Sequence, residues 1–181
     1  MTFPFHARHL DIAAFAQAKA QLNGHEEIQK CERLAQEASA LTPESILHWQ
    51  AQGEQRSAAD GSVRPALHLR AHTTLALTCQ RCMGEVMTDV AVDRHFIFVP
   101  DETTAAALDD ESEDDVLVLA ADFDLLALVE DEMLMALPLV PRHGECPEPV
   151  PLAAQTPDFD AAQADKPQPF AALAALKSPK P

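Results

Sequence analysis

The chain has 181 residues, of which 47% are hydrophobic and 23% charged, the composition of an ordinary globular protein rather than a disordered or fibrous one. Twenty-nine acids against thirteen bases leave a formal net charge of −16, which excludes a surface that grips nucleic acid over its whole extent, because phosphate binding needs Lys and Arg. The acidity is uneven: residues 1–95 hold nine bases and eleven acids, and residues 96–181 hold four bases and eighteen acids.

The first residues, Met1 to Arg8, lack the basic start and apolar core of a secretory signal, and no run approaches the ~18 apolar residues of a membrane span. A cytoplasmic location is the expectation, with no membrane partner. Cys31, Cys79, Cys82 and Cys146 are then expected as thiols or metal ligands before disulfides. Residues 11–38 read as helical, with Ile12, Phe15, Ala16, Lys19 and Leu22 at helical spacing, a break at Gly24, and Ile28, Cys31, Leu34, Ala35 and Ala38 resuming the stripe. Asp11 is positioned as its N-cap. Cys31, on the apolar stripe, reads as a small buried hydrophobe.

From residue 46 the pattern turns toward strand. His48 to Glu54 is a polar strand candidate, and Asp60-Gly61 reads as a hairpin turn because that pair adopts positive φ readily. Over 66–79 the alternation is sustained: Leu67, Leu69, Ala71, Thr73, Leu75, Leu77 and Cys79 share one face, and His68, Arg70, His72, Thr74, Ala76 and Thr78 the other. It returns after Gly84 with Val86, Val90, Val92, Phe96 and Phe98, which predicts a long hairpin tipped by Cys79-Gln80-Arg81-Cys82-Met83-Gly84. Residues 101–115 carry eight acids and no base, so self-repulsion predicts an extended acidic loop. Val116 to Leu119 reads as a short strand. Asp122 or Asp124 then caps a helix to about Leu137, with Leu125, Leu126, Val129, Met133, Ala136 and Leu137 buried and Glu130 and Asp131 outside, ended by Pro138 and Pro141. Eight of fourteen prolines follow residue 144, so 145–181 reads as a proline-rich tail with one short helix over 169–177.

Cys79-x-x-Cys82-x-Gly84 at a hairpin tip has the form of a zinc knuckle: two thiolates two residues apart converge on one tetrahedral ion, and glycine lets the backbone fold round it. His143-x-x-Cys146, just past Pro141, offers the other two ligands, so one structural zinc on Cys79, Cys82, His143 and Cys146 is the candidate site. The sixty-residue gap between the halves is longer than compact ribbon signatures, and a tight turn with reduced thiols remains the alternative. A redox pair is disfavoured, since that motif opens a helix after a strand whereas strands flank this one on both sides. His68 and His72 read as a solvated strand face that reaches RNA or a partner only if function demands it. Glu130, Asp131 and Glu132 suggest cation binding or acid–base work, against the default of a solvated helix face. No phosphate-cradling glycine loop, nucleophile elbow or two-histidine protease motif occurs, so no catalytic residues, small-molecule substrate or organic cofactor are expected.

Three segments stand in one order: Leu77-Thr78-Cys79-Gln80-Arg81-Cys82, then Asp124 through Pro141 with its Leu-Val-Glu-Asp-Glu-Met core, then Lys166 through Lys177. This combination resembles the YceD family of large ribosomal RNA subunit accumulation proteins, over residues 77 to 177. The resemblance implies a bacterial, cytoplasmic, non-enzymatic ribosome biogenesis factor supporting synthesis, processing or stability of 23S ribosomal RNA. Some relatives carry further cysteines after the segment matching Pro141, whereas this chain has Cys146 alone and leaves His143 as the substitute ligand. Charge and resemblance together point to a basic large-subunit ribosomal protein or a pre-ribosomal particle as partner, attracted by the thirteen acids of 101–132. The alternatives are a direct RNA-binding zinc-knuckle module using Arg70, Arg81 and Arg94 with His68 and His72, and a metal-dependent nuclease using Glu130 and Glu132. The expected fold is α+β: an antiparallel sheet on the 66–99 hairpin with flanking helices in one domain, 1–144, followed by the tail.

Overall fold

The structure is a computed structural model and describes residues 5–42, 44–58, 61–109 and 112–148. The chain divides into two units, Met1–Cys146 and Pro147–Pro181, and the fold below belongs to the first. The second, with the helix expected over 169–177, lies almost wholly outside the described residues.

Asp11 caps helix α1 (Ile12–Gln17), its carboxylate accepting the Ala14 N–H at 2.9 Å. The helix ends far sooner than its apolar stripe predicts. Lys19 adopts φ 49°, and the N–H groups of Lys19 and Ala20 donate back to the carbonyls of Ala16 (3.1 Å) and Phe15 (3.2 Å), a closure in which glycine usually stands. The single helical reading of 11–38 is therefore corrected: Gln21–Glu27 is strand β1, Ile28–Lys30 a 3-10 turn, and Glu32–Glu37 helix α2. Exposure alternates residue by residue along β1. Gly24 sits there because a Cβ at that position would come within 2.6 Å of the Trp49 ring on the next strand, so it marks a close approach and not a helix break.

The long alternating segments form β2 (Ile46–Ser57), β3 (Val63–Thr78) and β4 (Glu85–Val99), each antiparallel to its neighbour, with Gly61 at φ 81° in the β2–β3 connection. The predicted inner face is buried throughout, and its one hydroxyl, on Thr73, donates to the Ile46 carbonyl at 2.8 Å. Beyond β4, the acidic loop expected over 101–115 is corrected in its first part to helix α3 (Glu102–Asp109). Asp101 accepts the Thr104 N–H at 2.8 Å and its hydroxyl at 3.0 Å, bonds that hold the Asp101 carboxyl below its ordinary range, and Ala105 to Ala107 favour the helix. The helix makes possible the other departure. β5 (Asp115–Val118) pairs parallel to β4, which requires a crossover of the kind α3 supplies. The sheet is thus mixed, in the order β1-β2-β3-β4-β5, with β1 and β5 as its edges among the described residues, and the fold is α+β.

Helix α4 (Leu125–Met135) is capped by Asp124, which accepts the N–H groups of Leu126 and Ala127 at 3.0 and 3.1 Å. α1 lies on β2 and β3, α4 on β3 and β4, and α2 on α4. Gly53 lets α1 rest directly on β2, since a Cβ there would stand 2.5 Å from the Phe15 carbonyl oxygen. The helices and the inner sheet face enclose one core of Phe15, Leu34, Leu69, Phe96, Phe98, Leu125 and their neighbours. No helix among the described residues is long and apolar enough to cross a membrane.

Candidate metal centre

The β3–β4 hairpin does not end in a two-residue turn. Past Thr78 the Met83 N–H donates to the Cys79 carbonyl at 2.9 Å and the Cys79 N–H to the Gly84 carbonyl at 2.8 Å, with Met83 at φ 60°. This folded tip brings both sulfurs of Cys79 and Cys82 to the end of the sheet nearest the C-terminus of α4. There Pro138 and Pro141 forbid further helix, and the Pro141 carbonyl accepts the Gln80 N–H at 2.8 Å. That one bond ties the strap after α4 to the hairpin tip.

The strap delivers His143 and Cys146 beside the two cysteines. The ligand atoms of Cys79, Cys82, His143 and Cys146 all lie within 4.8 Å of one another, and Cys82 Sγ stands 3.5 Å from His143 Nδ1. Ligands of a tetrahedral ion bonded to sulfur at about 2.3 Å stand about 3.3–3.8 Å apart, so small inward movements complete such a shell. Cys79 is fully buried and the other three partly so. The backbone N–H of Cys82 is the chief influence on the Cys79 thiol and, with those of His143 and Arg81, takes it down to about 5 against the cost of burial. Cys146 moves the other way, pushed up by burial and by the neighbouring Cys82 and Cys79 sulfurs. Metal ligation needs thiolates, a state that the backbone donors favour at Cys79 and that the neighbouring sulfurs oppose at Cys146. Three sulfurs and one imidazole suit a closed tetrahedral site rather than an open catalytic one.

The spacing of the cysteines and of His143-x-x-Cys146 carried the ligand set, whereas the N–H donors of Arg81, Cys82 and His143 and the Gln80 tie are backbone groups with no residue-type signal. Cys31, as expected, is buried at the foot of α2, where burial first and then Glu130 take its thiol up to about 11. The other candidate groups separate. Arg70 pairs with Asp93 (3.3 Å) and Arg94 with Asp115 (2.6 Å) and Glu132 (3.7 Å), so two of the three arginines considered for RNA are held in ion pairs. Glu130 and Glu132 do not converge: Glu130 accepts the N–H groups of Arg33 and Leu34 at 2.8 and 3.1 Å and pairs with the Arg33 guanidinium, while Glu132 faces Arg94. Their side chains are 15% and 8% exposed, which corrects the reading of this stretch as a solvated helix face. Asp131, the exposed member, also pairs with Arg33. Burial pushes the Glu132 carboxyl up against the pull of Arg94.

A family profile described as "Large ribosomal RNA subunit accumulation protein YceD" matches residues 67–177, which covers the β3–β4 hairpin tip, α3, β5, α4 and the strap. A curated Haemophilus influenzae protein of that same name is 46% identical over 59 residues, 31% of this chain and 33% of that protein. The matched stretch thus spans about a third of the relative's length. No solved structure matches. The chain belongs to the YceD family of large ribosomal RNA subunit accumulation proteins.

Proposed function

We propose that the protein is a cytoplasmic, non-enzymatic factor that supports the synthesis, processing or stability of 23S ribosomal RNA by engaging a basic large-subunit ribosomal protein or pre-ribosomal particle. Family membership supports the ribosomal half of this reading. The partner half is carried by the charge left over once the fold has used what it needs. Of the acids between 101 and 132, Asp101 caps α3, Asp122 holds His9, Asp124 caps α4, and Asp115, Glu130, Asp131 and Glu132 pair with arginines. Glu102, Asp109, Glu113 and Asp114 have no cationic partner among the described residues; Glu102 opens α3, Asp109 closes it, and Glu113 and Asp114 lie in the connection to β5, the strand at one edge of the sheet. A concentrated field of one sign at a sheet edge steers and orients a basic partner.

Cys79, Cys82, His143 and Cys146 would hold one structural zinc. The ion would cross-link the hairpin tip to the strap, as four protein ligands leave no open position for chemistry. Purified without chelator, the chain should carry about one zinc, released by Cys79→Ser; metal-free protein of equal stability would sink that assignment.

The function is tested by the ratio of large- to small-subunit ribosomal RNA, with precursors resolved, in cells lacking the protein. Wild type should restore a selectively lost large-subunit RNA, and the joint variant Glu102→Gln, Asp109→Asn, Glu113→Gln, Asp114→Asn should not. An unchanged ratio with normal precursors overturns the ribosomal role. Full rescue by the joint variant overturns the acidic partner surface, and capture of naked large-subunit RNA at physiological salt without any ribosomal protein replaces it with direct RNA binding.

A further inference from the structure

The outer face of the sheet holds a second group of ligating side chains, on three adjacent strands and ten register steps along the β3–β4 ladder from the knuckle. Antiparallel pairing sets Gln52 of β2 opposite His68 of β3, and His68 opposite His95 of β4. Glu54 lies two residues along β2 from Gln52, so it shares that face at the diagonal position. The rings of His68 and His95 stack with centroids 4.0 Å apart, and the ligand atoms of Glu54, His68 and His95 lie within 4.8 Å of one another.

Two neighbours distinguish this cluster from a chance gathering of surface histidines. Asp93 Oδ1 is 2.6 Å from His68 Nε2, an arrangement in which the carboxylate fixes Nε2 as the N–H and leaves the Nδ1 lone pair available, as it does behind metal-bound histidines. His68 is itself mostly buried, with its side chain 12% exposed, so its orientation is set. On the other side Arg56 donates from Nη2 to His95 Nδ1 at 3.1 Å and pairs with Glu54 at 3.4 Å. The guanidinium bridges the two groups that an ion would bridge, and its side chain is 44% exposed, free to withdraw into solvent. A second histidine row on the same face runs across β1, β2 and β3, with His48 and His72 stacked and His25 tilted beside them, without belonging to such a cluster, and so serves as an internal control.

We propose that Glu54, His68 and His95 bind a divalent first-row transition ion, with Asp93 as the positioning residue behind His68 and Arg56 as the competing cation. Two imidazoles and a carboxylate, without sulfur, suit nickel, cobalt or zinc and leave coordination positions for water, so this ion exchanges where one held by the knuckle does not. The site shares no residue with the knuckle and does not rest on the ribosomal reading.

Full-length protein carrying only one zinc per chain, which the sulfur-rich centre takes first, is titrated calorimetrically with Ni2+, with zinc retention followed by elemental analysis. The wild type should take up one nickel per chain without losing zinc. His95→Gln and Asp93→Asn should each weaken binding about tenfold or more. Glu54→Gln should weaken it about threefold and Arg56→Gln should strengthen it by a similar factor, in line with the loss of a carboxylate ligand and of a competing cation. These last two lie at the surface and carry the test even where a change behind His68 disturbs the sheet. His48→Gln should leave the titration unchanged. Absence of nickel uptake, uptake matched by zinc loss, uptake indifferent to His95→Gln and Glu54→Gln, or uptake abolished by His48→Gln would each overturn the proposal.

Discussion

Along β3 and β4 two chemically opposite surfaces are written into alternate residues of the same strands. Leu67, Leu69, Leu75 and Phe96 on the inner side are essentially inaccessible, while Arg70, His72, Thr74 and Asp93 on the outer side face water. The inner set shares one core with side chains of α1, α2 and α4, where a change of size or polarity is felt at once. On the outer side the ladder fixes where each Cβ stands but asks nothing of the group attached to it. Chemistry on this sheet is therefore placed with core precision at surface cost, which is how Glu54, His68 and His95 come to lie together from three strands.

The most severe test of that contrast is Phe96→Ala, which empties the inner face at a residue 1% exposed. Unfolding free energy should drop by about 3–5 kcal/mol in a denaturant titration. A drop below about 1 kcal/mol would mean the inner face is not the source of stability. An intermediate loss is expected at Glu130→Gln, because this carboxylate fastens α4 to the N-terminal turn of α2 and has both N–H groups and a guanidinium to satisfy; about 1–3 kcal/mol is the scale for such bonds. Burial alone would raise the Glu130 carboxyl, yet the N–H groups of Leu34 and Arg33 and the Arg33 charge outweigh it and hold the group below its ordinary 4.5. The folded group thus binds its proton less readily than the unfolded one. Its contribution is complete above about pH 4.5 and is lost as pH falls through the lower folded value, so the thermal stabilities of wild type and Glu130→Gln should converge on acidification. A gap independent of pH would assign the effect to shape rather than charge. Least of all should change with His48→Gln on the outer face, where a shift within about 0.5 kcal/mol is expected. A larger loss there would erase the distinction between the two faces.

How far the sequence foretold these surfaces depended on range. Asp11 was legible as a cap, and Asp124 as one of two candidates with Asp122, because a cap is read three residues away, and the 66–79 alternation was legible because every second residue repeats the message. β1 was hidden by two residues acting against type: Lys19 in the left-handed conformation where glycine is the usual stop, and Gly24 yielding room to Trp49 in a strand where it looked like the stop itself. α3 was hidden because charge counting over 101–115 averaged an alanine run with an acidic one. The four ligands of the candidate metal centre were visible as two short motifs. Their meeting was expected as one candidate site, but the route to it was not legible, since it depends on β4, β5 and α4 all reaching their places, and the buried Glu132 needed Arg94, thirty-eight positions away, to be understood.

The bond between the Gln80 N–H and the Pro141 carbonyl closes a loop of about sixty residues. Loop closure of that length adds only a modest entropic penalty over a shorter one, growing as the logarithm of the length. Its timing matters more. During synthesis the first two sulfurs emerge long before His143 and Cys146 exist, and the second pair cannot reach them until β5 and α4 have docked. Four-ligand capture of an ion would therefore complete folding rather than nucleate it, and the metal content of a preparation would count the finished molecules in it.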